Sequence, residues 1–364
     1  LYITGESSDV PASTAGDDEF RTNGGADLVS AGAGNDNIDA GSGNDTVVAG
    51  TGNDVVLAGT GNDVIYGGES SSESGSGNDS IDAGDGNDSV IAGDGDDDVL
   101  GGAGADTVLA GSGNDSVDGG DGTDSVSGGE GNDTLTGGLG ADLIEAGAGN
   151  DVVTYDVGDW HQFGGTGDDT LVINTYTTNG LASGAPIADL TTRAGTQVKG
   201  FEVIDLSAAG GQAVKLDENA VLALSDTGRI TVKGTAADQL SLYGGWAYTG
   251  VDSDASGAIY KVLQKGNAFI SVSDEVQLKI TNELGGTVNI YGPGADVIDV
   301  WGAASGPDYI ANGAMTGDGD DIITVHDMSY SAIDAGRGND TIKFAFAGDV
   351  NTSLLPPTGL TNVE

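Results

Sequence analysis

The chain has no cysteine, and only 11 of its 364 residues are Lys or Arg. Without cysteine there is no disulfide to staple an open fold, and no thiolate to serve as a nucleophile or a soft-metal ligand. With so few cations, phosphate backbones are excluded as partners and anionic membranes repel the chain. Aromatic residues make up 5%, and the only two histidines, His161 and His326, read as isolated surface or packing residues, so no zinc or copper site is expected on them. No apolar run approaches the ~18 residues of a spanning helix. No His-Glu-x-x-His and no Gly-x-Ser-x-Gly occurs, which removes the two commonest hydrolase signatures. The first residue is Leu1, with no signal-like stretch behind it, and Asn362-Val363-Glu364 resembles a restart of the segment Phe201 to Leu206. Both features lead us to expect a piece of a longer chain.

What the chain has in excess is acid and glycine. There are 58 Asp and Glu, giving a net charge of -47, and 66 Gly. Such acidity ordinarily signals disorder, because like charges repel and little apolar surface is available to offset chain entropy. The order of the residues argues otherwise. Asp recurs every nine residues at 18, 27, 36, 45, 54 and 63, and again from 79 through 88, 97, 106, 115, 124, 133, 142 and 151. The frame around each is Gly-Gly-x-Gly-x-Asp-x-U-x with U a large aliphatic, as in Gly137-Gly138-Leu139-Gly140-Ala141-Asp142-Leu143-Ile144-Glu145. The first glycine is often Ala. Deleting Glu69 to Gly75 restores the frame across the single break, which therefore reads as an inserted surface loop.

These repeats resemble the calcium-binding nonapeptides of the RTX (repeats-in-toxin) family of secreted bacterial proteins, over residues 12 to 172. The resemblance implies a parallel β-roll in which six residues of each repeat make a glycine-rich turn and three a minimal strand. Two repeats then make one coil of eighteen residues, and turns on one side stack and share cations. Calcium takes six to eight hard oxygen ligands at ~2.3 to 2.6 Å, a shell that carboxylates and carbonyls of adjacent turns can supply. The frame sorts the expected ligands into two ladders. One holds Asp18, Asp36, Asp54, Asp79, Asp97, Asp115, Asp133, Asp151 and Asp169; the other holds Asp27, Asp45, Asp63, Asp88, Asp106, Asp124 and Asp142. Trp160 fills the next slot of the second ladder, which is expected to end there. One ion between successive rungs gives about 14 Ca2+, about +28 of charge. Residues 1–171 carry 35 acids and one base, Arg21, so the ions nearly cancel a net -34.

The U column runs Phe20, Val29, Ile38, Val47, Val56, Ile65, Ile81, Val90, Val99, Val108, Val117, Val126, Leu135, Ile144 and Val153. One large buried side chain per nine residues is too little to offset the entropy of ordering them, so the roll is expected to need its metal to fold. Trp160, His161 and Phe163 are read as a cover for the open end of the solenoid.

Composition shifts near Leu171: the remaining 193 residues hold 23 acids and 10 bases. Strand alternation marks Phe201 to Leu206, Arg229 to Lys233 and Gln239 to Tyr243. Ile259 to Val272 reads as a hairpin about Gln264-Lys265-Gly266-Asn267. Asp217 is placed to cap one short helix, Glu218 to Leu224. Tyr243, Trp246 and Trp301 are read as core or interface aromatics. Repeat-like frames return irregularly around Asp296, Asp308, Asp321 and Asp340, which are candidate ligands of a short, interrupted second roll.

The expected fold class is therefore all-β. It comprises a right-handed parallel β-roll solenoid (1–171, loop 69–75), a β-rich, sandwich-like module with one helix (172–290), a second short roll (291–346) and a linker (347–364). The resemblance implies a non-enzymatic, secreted bacterial cell-surface or matrix segment of the S-layer, adhesin-stalk or fibre type, exported by type I secretion and rigidified by calcium. Its expected partners are calcium ions, further copies or neighbouring modules, and a cell-surface glycan for the middle module. The alternatives are an accessory roll of a secreted enzyme or toxin, or a carbohydrate-binding adhesin module.

Overall fold

The fold is described from a computed structural model covering residues 15–69, 77–174, 187–208, 211–235, 237–243, 246–273 and 275–281. Short strands at 287–290, 297–300, 314–315, 322–325, 333–334, 341–344 and 360–361 are described as well. The described residues form two compact units, one made by residues up to 172 with 195–203, the other by 173–174, 187–194 and the residues from 204 onward.

In the first unit the nine-residue period becomes two parallel sheets. Strands Glu19–Arg21, Asn37–Asp39, Val55–Leu57, Ser80–Asp82, Asp98–Gly104, Ser116–Gly122, Thr134–Thr136 and Val152–Tyr155 follow one another in one sheet. Leu28–Ala33, Thr46–Thr51, Val64–Tyr66, Ser89–Asp94, Thr107–Ser112, Ser125–Glu130, Leu143–Ala148, His161–Thr166 and Val198–Lys199 follow one another in the other. Strands alternate between the sheets along the chain, so each partner lies two repeats away, as in Val108 opposite Val126 and Val117 opposite Val99. Between Val55 and Ser80, and between Val64 and Ser89, the separation is 25 residues, eighteen plus the seven of the insertion, and the register is unbroken.

All fifteen U side chains are buried, none more than 3% exposed. They are not the only inward residues. Ala31, Ala40, Ala49, Ala58, Ala83, Ala92, Ala110 and Ala146, two positions beyond U, are buried too. The first position of the motif thus faces inward, and alanine there adds a methyl to the core. The column remains thin, one large side chain and one small one per repeat.

The corners need glycine for a stated reason. Gly104 has φ +142, a conformation side chains rarely adopt, and a Cβ there would overlap the carbonyl of Gly86 in the coil below. Stacked corners approach so closely that no side chain fits between them.

In the second unit the strands are β-rich but pair mainly in parallel rather than as the antiparallel layers of a sandwich. Ala213–Asp217, Gln239–Tyr243 and Gln277–Thr281 stack in register, as do Arg229–Lys233 and Ala268–Ser273. An antiparallel excursion, Ala247–Ser253 and Ile259–Lys265, leads into Ala268–Ser273 through a tight turn with Gly266 at φ +57. The helix Glu218–Leu224 is capped by Asp217, whose carboxylate accepts from the Ala220 N–H at 2.7 Å. Trp246 is buried and donates to the Tyr243 carbonyl. Tyr243 is partly exposed with the Lys215 ammonium 4.6 Å from its ring centre. Val297–Val300, Ile322–Val325 and Thr341–Phe344 form a three-stranded parallel sheet. Asp296, Asp308, Asp321, Asp340, Trp301, the Glu364 restart and loop residues 70–75 lie outside the described residues.

Candidate metal centre

Each repeat delivers its Asp to the last position of a corner, just before the strand. The stacking of coils places these side chains in file. In the first file the backbone N–H of Asp18 donates to Oδ1 of Asp36 at 2.7 Å, and the same bond recurs from Asp36 to Asp54, Asp79, Asp97, Asp115, Asp133, Asp151 and Asp169 at 2.8–2.9 Å. In the second file it runs from Asp27 through Asp45, Asp63, Asp88, Asp106 and Asp124 to Asp142 at 2.7–2.8 Å. All sixteen residues expected as ligands in the main roll are thus brought into two lines, one carboxylate per coil in each.

From Asp36 and Asp45 onward, each carboxylate therefore spends one oxygen on the backbone. The other is left over. Oδ2 of Asp36, Asp45, Asp54, Asp63, Asp79, Asp88, Asp97, Asp106, Asp115, Asp124, Asp133, Asp142, Asp151 and Asp169 is buried with no hydrogen-bond partner. An anionic oxygen taken out of water and left unpaired is among the costliest arrangements a fold can contain, and a bound cation is what relieves it. The surroundings fit a hard one. A Cβ built on Gly101 would lie 2.5 Å from the Gly119 carbonyl and 3.1 Å from Asp106 Oδ2. On Gly119 it would meet the Gly137 carbonyl at 2.5 Å and Asp124 Oδ2 at 3.0 Å. The orphaned oxygen and a main-chain carbonyl of the next corner thus flank one small space. Among the described residues no three His, Cys, Asp or Glu side chains converge; a cation here would draw on carboxylates and carbonyls together. Oxygen-only donors of this kind suit calcium.

The sequence of this region matches the RTX calcium-binding nonapeptide repeat family at residues 13–47, 48–71, 73–108, 100–135 and 127–159. Residues 13–159 are an RTX repeat region. No curated protein matches the chain. Among solved structures, one similar chain is a hyperactive, Ca2+-dependent, β-helical antifreeze protein from an Antarctic bacterium. It is 19% identical, with 97% of this chain and 86% of that chain covered and a TM-score of 0.24. The RTX region is a calcium-binding β-roll, stiffened by its stacked Asp corners.

The structure corrects the expected end of the second ladder. Trp160 does follow in frame, its N–H donating to the Asp142 carbonyl, but its side chain is 64% exposed. The carboxylate is supplied one residue earlier: Asp142 N–H donates to Oδ1 of Asp159 at 3.2 Å. Oδ2 of Asp159 accepts from the amide of Gln162 at 2.5 Å, and Gln162 occupies the core slot opposite Ile144. Nor do Trp160, His161 and Phe163 cover an open end. His161 and Phe163 stand in a strand that pairs onward with Val198–Lys199, their rings 5.2 Å apart.

Two further features escaped the sequence reading. An exposed ladder of amides runs beside the first Asp file in the opposite sense. Asn53 N–H donates to Oδ1 of Asn35, Asn78 to Asn53, Asn132 to Asn114 and Asn150 to Asn132, at 2.7–3.1 Å. The signal was present in the repeated Asn-Asp pairs. In the second unit Asp238 repeats the rung with both carboxylate oxygens hydrogen-bonded by the protein. Its Oδ1 accepts from Gln212 N–H at 2.7 Å, and its Oδ2 from Thr235 N–H and hydroxyl at 2.6 and 2.9 Å.

Burial raises the file carboxyls from Asp36 and Asp45 onward above the ordinary 3.8. Asp79 and Asp124 rise to about 7, and Asp54, Asp97, Asp115 and Asp133 to about 6. A carboxyl whose folded pKa is raised contributes stability that is present below 3.8 and lost as pH rises through the folded value. Metal-free protein is therefore most penalised at neutral pH. Metal-stripped chain that is largely unstructured at pH 7.5 is expected to gain β signal by circular dichroism as pH falls to 5. A β signal that stays flat or declines over that window would show that the files are not buried carboxylates.

Proposed function

We propose that this chain is a load-bearing segment of a secreted bacterial surface or matrix protein, of the S-layer, adhesin-stalk or extracellular-fibre type. In this reading calcium turns a flexible exported chain into a stiff rod. The observation that carries it is the pair of unbroken carboxylate files, running the length of the roll with fourteen orphaned oxygens. Such files suit a cation between successive rungs, about 14 Ca2+ in all on the one-per-gap expectation. A chain kept open where calcium is scarce and folded where it is abundant suits export followed by assembly outside the cell.

The same reading makes the chain modular, with the roll over 1–171, the β-rich part over 172–290 and a shorter roll over 291–346, and further copies or neighbouring modules as partners. The test is electron microscopy of native envelopes or secreted material before and after chelation. Ordered arrays or fibres should disperse with chelator and re-form with calcium. Material that carries this chain yet keeps its order in chelator would refute the assembly role.

A further inference from the structure

We propose that the first ladder ends in a calcium site outside the repeat frame, made by Asp169, the main-chain carbonyl of Gly200 and the carboxylate of Glu202. Three observations within the first unit point there. Oδ2 of Asp169 is fully buried and without a hydrogen-bond partner, like the rungs before it. A Cβ on Gly164 would meet Asp169 Oδ2 at 2.8 Å and collide with the Gly200 carbonyl, so Gly200 stands where the next corner's carbonyl stands for Gly101 and Gly119. Finally, Asp169 N–H donates to Oε2 of Glu202 at 3.3 Å, repeating the bond that joins every Asp of the file to its successor. Glu202 is the next rung, 33 residues on.

The change from Asp to Glu has a geometric reason. From Gly164 to Asp169 the corner runs five residues, from Gly200 to Glu202 only two. Glu202 and Val203 both donate their N–H to the Asp169 carbonyl, at 3.0 and 2.9 Å. A shorter corner sets its acidic residue differently, and the extra methylene of Glu carries the carboxylate across.

Comparison with two rungs whose second oxygen is hydrogen-bonded sharpens the assignment. Asp159 and Asp238 also accept a backbone N–H through Oδ1, but in each the second oxygen is met by a protein donor, Gln162 or Thr235. At these two rungs the fold supplies a hydrogen bond to the second oxygen. At Asp169 it supplies a carbonyl and a carboxylate. The ion would pin the segment 195–203 onto the last coil, beside the pairing of Phe163 with Lys199 and the Lys199 ammonium 4.2 Å from the Phe163 ring centre.

The inference rests on the calcium reading of the files, and the experiment separates the two. Full-length protein is stripped, reloaded with calcium alone, and its ions counted by native mass spectrometry, for wild type, Glu202→Gln and Glu202→Ala. The glutamine keeps an acceptor for the Asp169 N–H while removing the charge, so it stays informative if the alanine variant misfolds. Both variants are expected to carry one ion fewer than wild type with an unchanged circular dichroism spectrum, and Asp238→Asn to carry the full number. A wild type loaded with many ions and a Glu202→Gln variant loaded with the same number would overturn the terminal site and leave the files intact. A wild type that takes up none would overturn the calcium reading itself.

Discussion

Stripped of calcium at pH 7, the first unit is expected to lose its β spectrum and expand, and to recover both in one cooperative transition when calcium is returned. The reason is the balance of its parts. Each repeat orders nine residues, many of them glycine, whose conformational freedom is the largest to lose. Against this stand one large aliphatic side chain and at most one alanine in the core. The files make matters worse, since fourteen buried carboxylate oxygens have nothing to offset their lost hydration. A ligand that binds the folded state alone stabilises it by mass action, and here the sites exist only when corners are stacked. Far-UV circular dichroism with small-angle scattering in chelator is the measurement. An intact β spectrum and unchanged radius would show that the core suffices.

The second large effect is expected at a single mid-file residue. Asp115→Asn keeps the acceptor for Asp97 N–H but removes the charge of an oxygen that is otherwise unpaired. Each rung borders two gaps, so the loss weakens the ions on both sides. Calcium at half-transition is expected to rise at least about tenfold, which corresponds to ~1.4 kcal/mol. Asn114→Ala, at the adjoining exposed position, removes only the side-chain bonds of Asn114 to Asp96 and Asn132, made in water, and should change stability by no more than ~0.5 kcal/mol. If the two variants titrate alike, the Asp file carries no special role.

The roll was legible in the sequence because a nine-residue frame repeated in phase leaves one way to stack it. The Asp positions, the U column and the seven-residue insertion all follow from that frame, and Asp54 meets Asp79 across the insertion as Asp36 meets Asp54. What escaped lies where the chain leaves the frame. Asp159 is one residue early, so counting by eighteen lands on Trp160. Glu202 and Asp238 take up the rung position after 33 and 26 residues, in corners without the glycine pattern. The parallel stacking of the second unit was hidden for another reason. Alternation tells which face of a strand is buried but not the direction of its neighbour. The second column of the core was visible as alanine in place of the first glycine, but a methyl alone does not announce which way it points.

The most direct test is a crystal structure grown in calcium, with anomalous differences collected at a wavelength where calcium scatters. The account predicts one peak in each gap between successive rungs of both files, in contact with the second oxygen of the Asp side chains from Asp36 to Asp169. Water or a protein donor against those oxygens, with the roll intact, would contradict it.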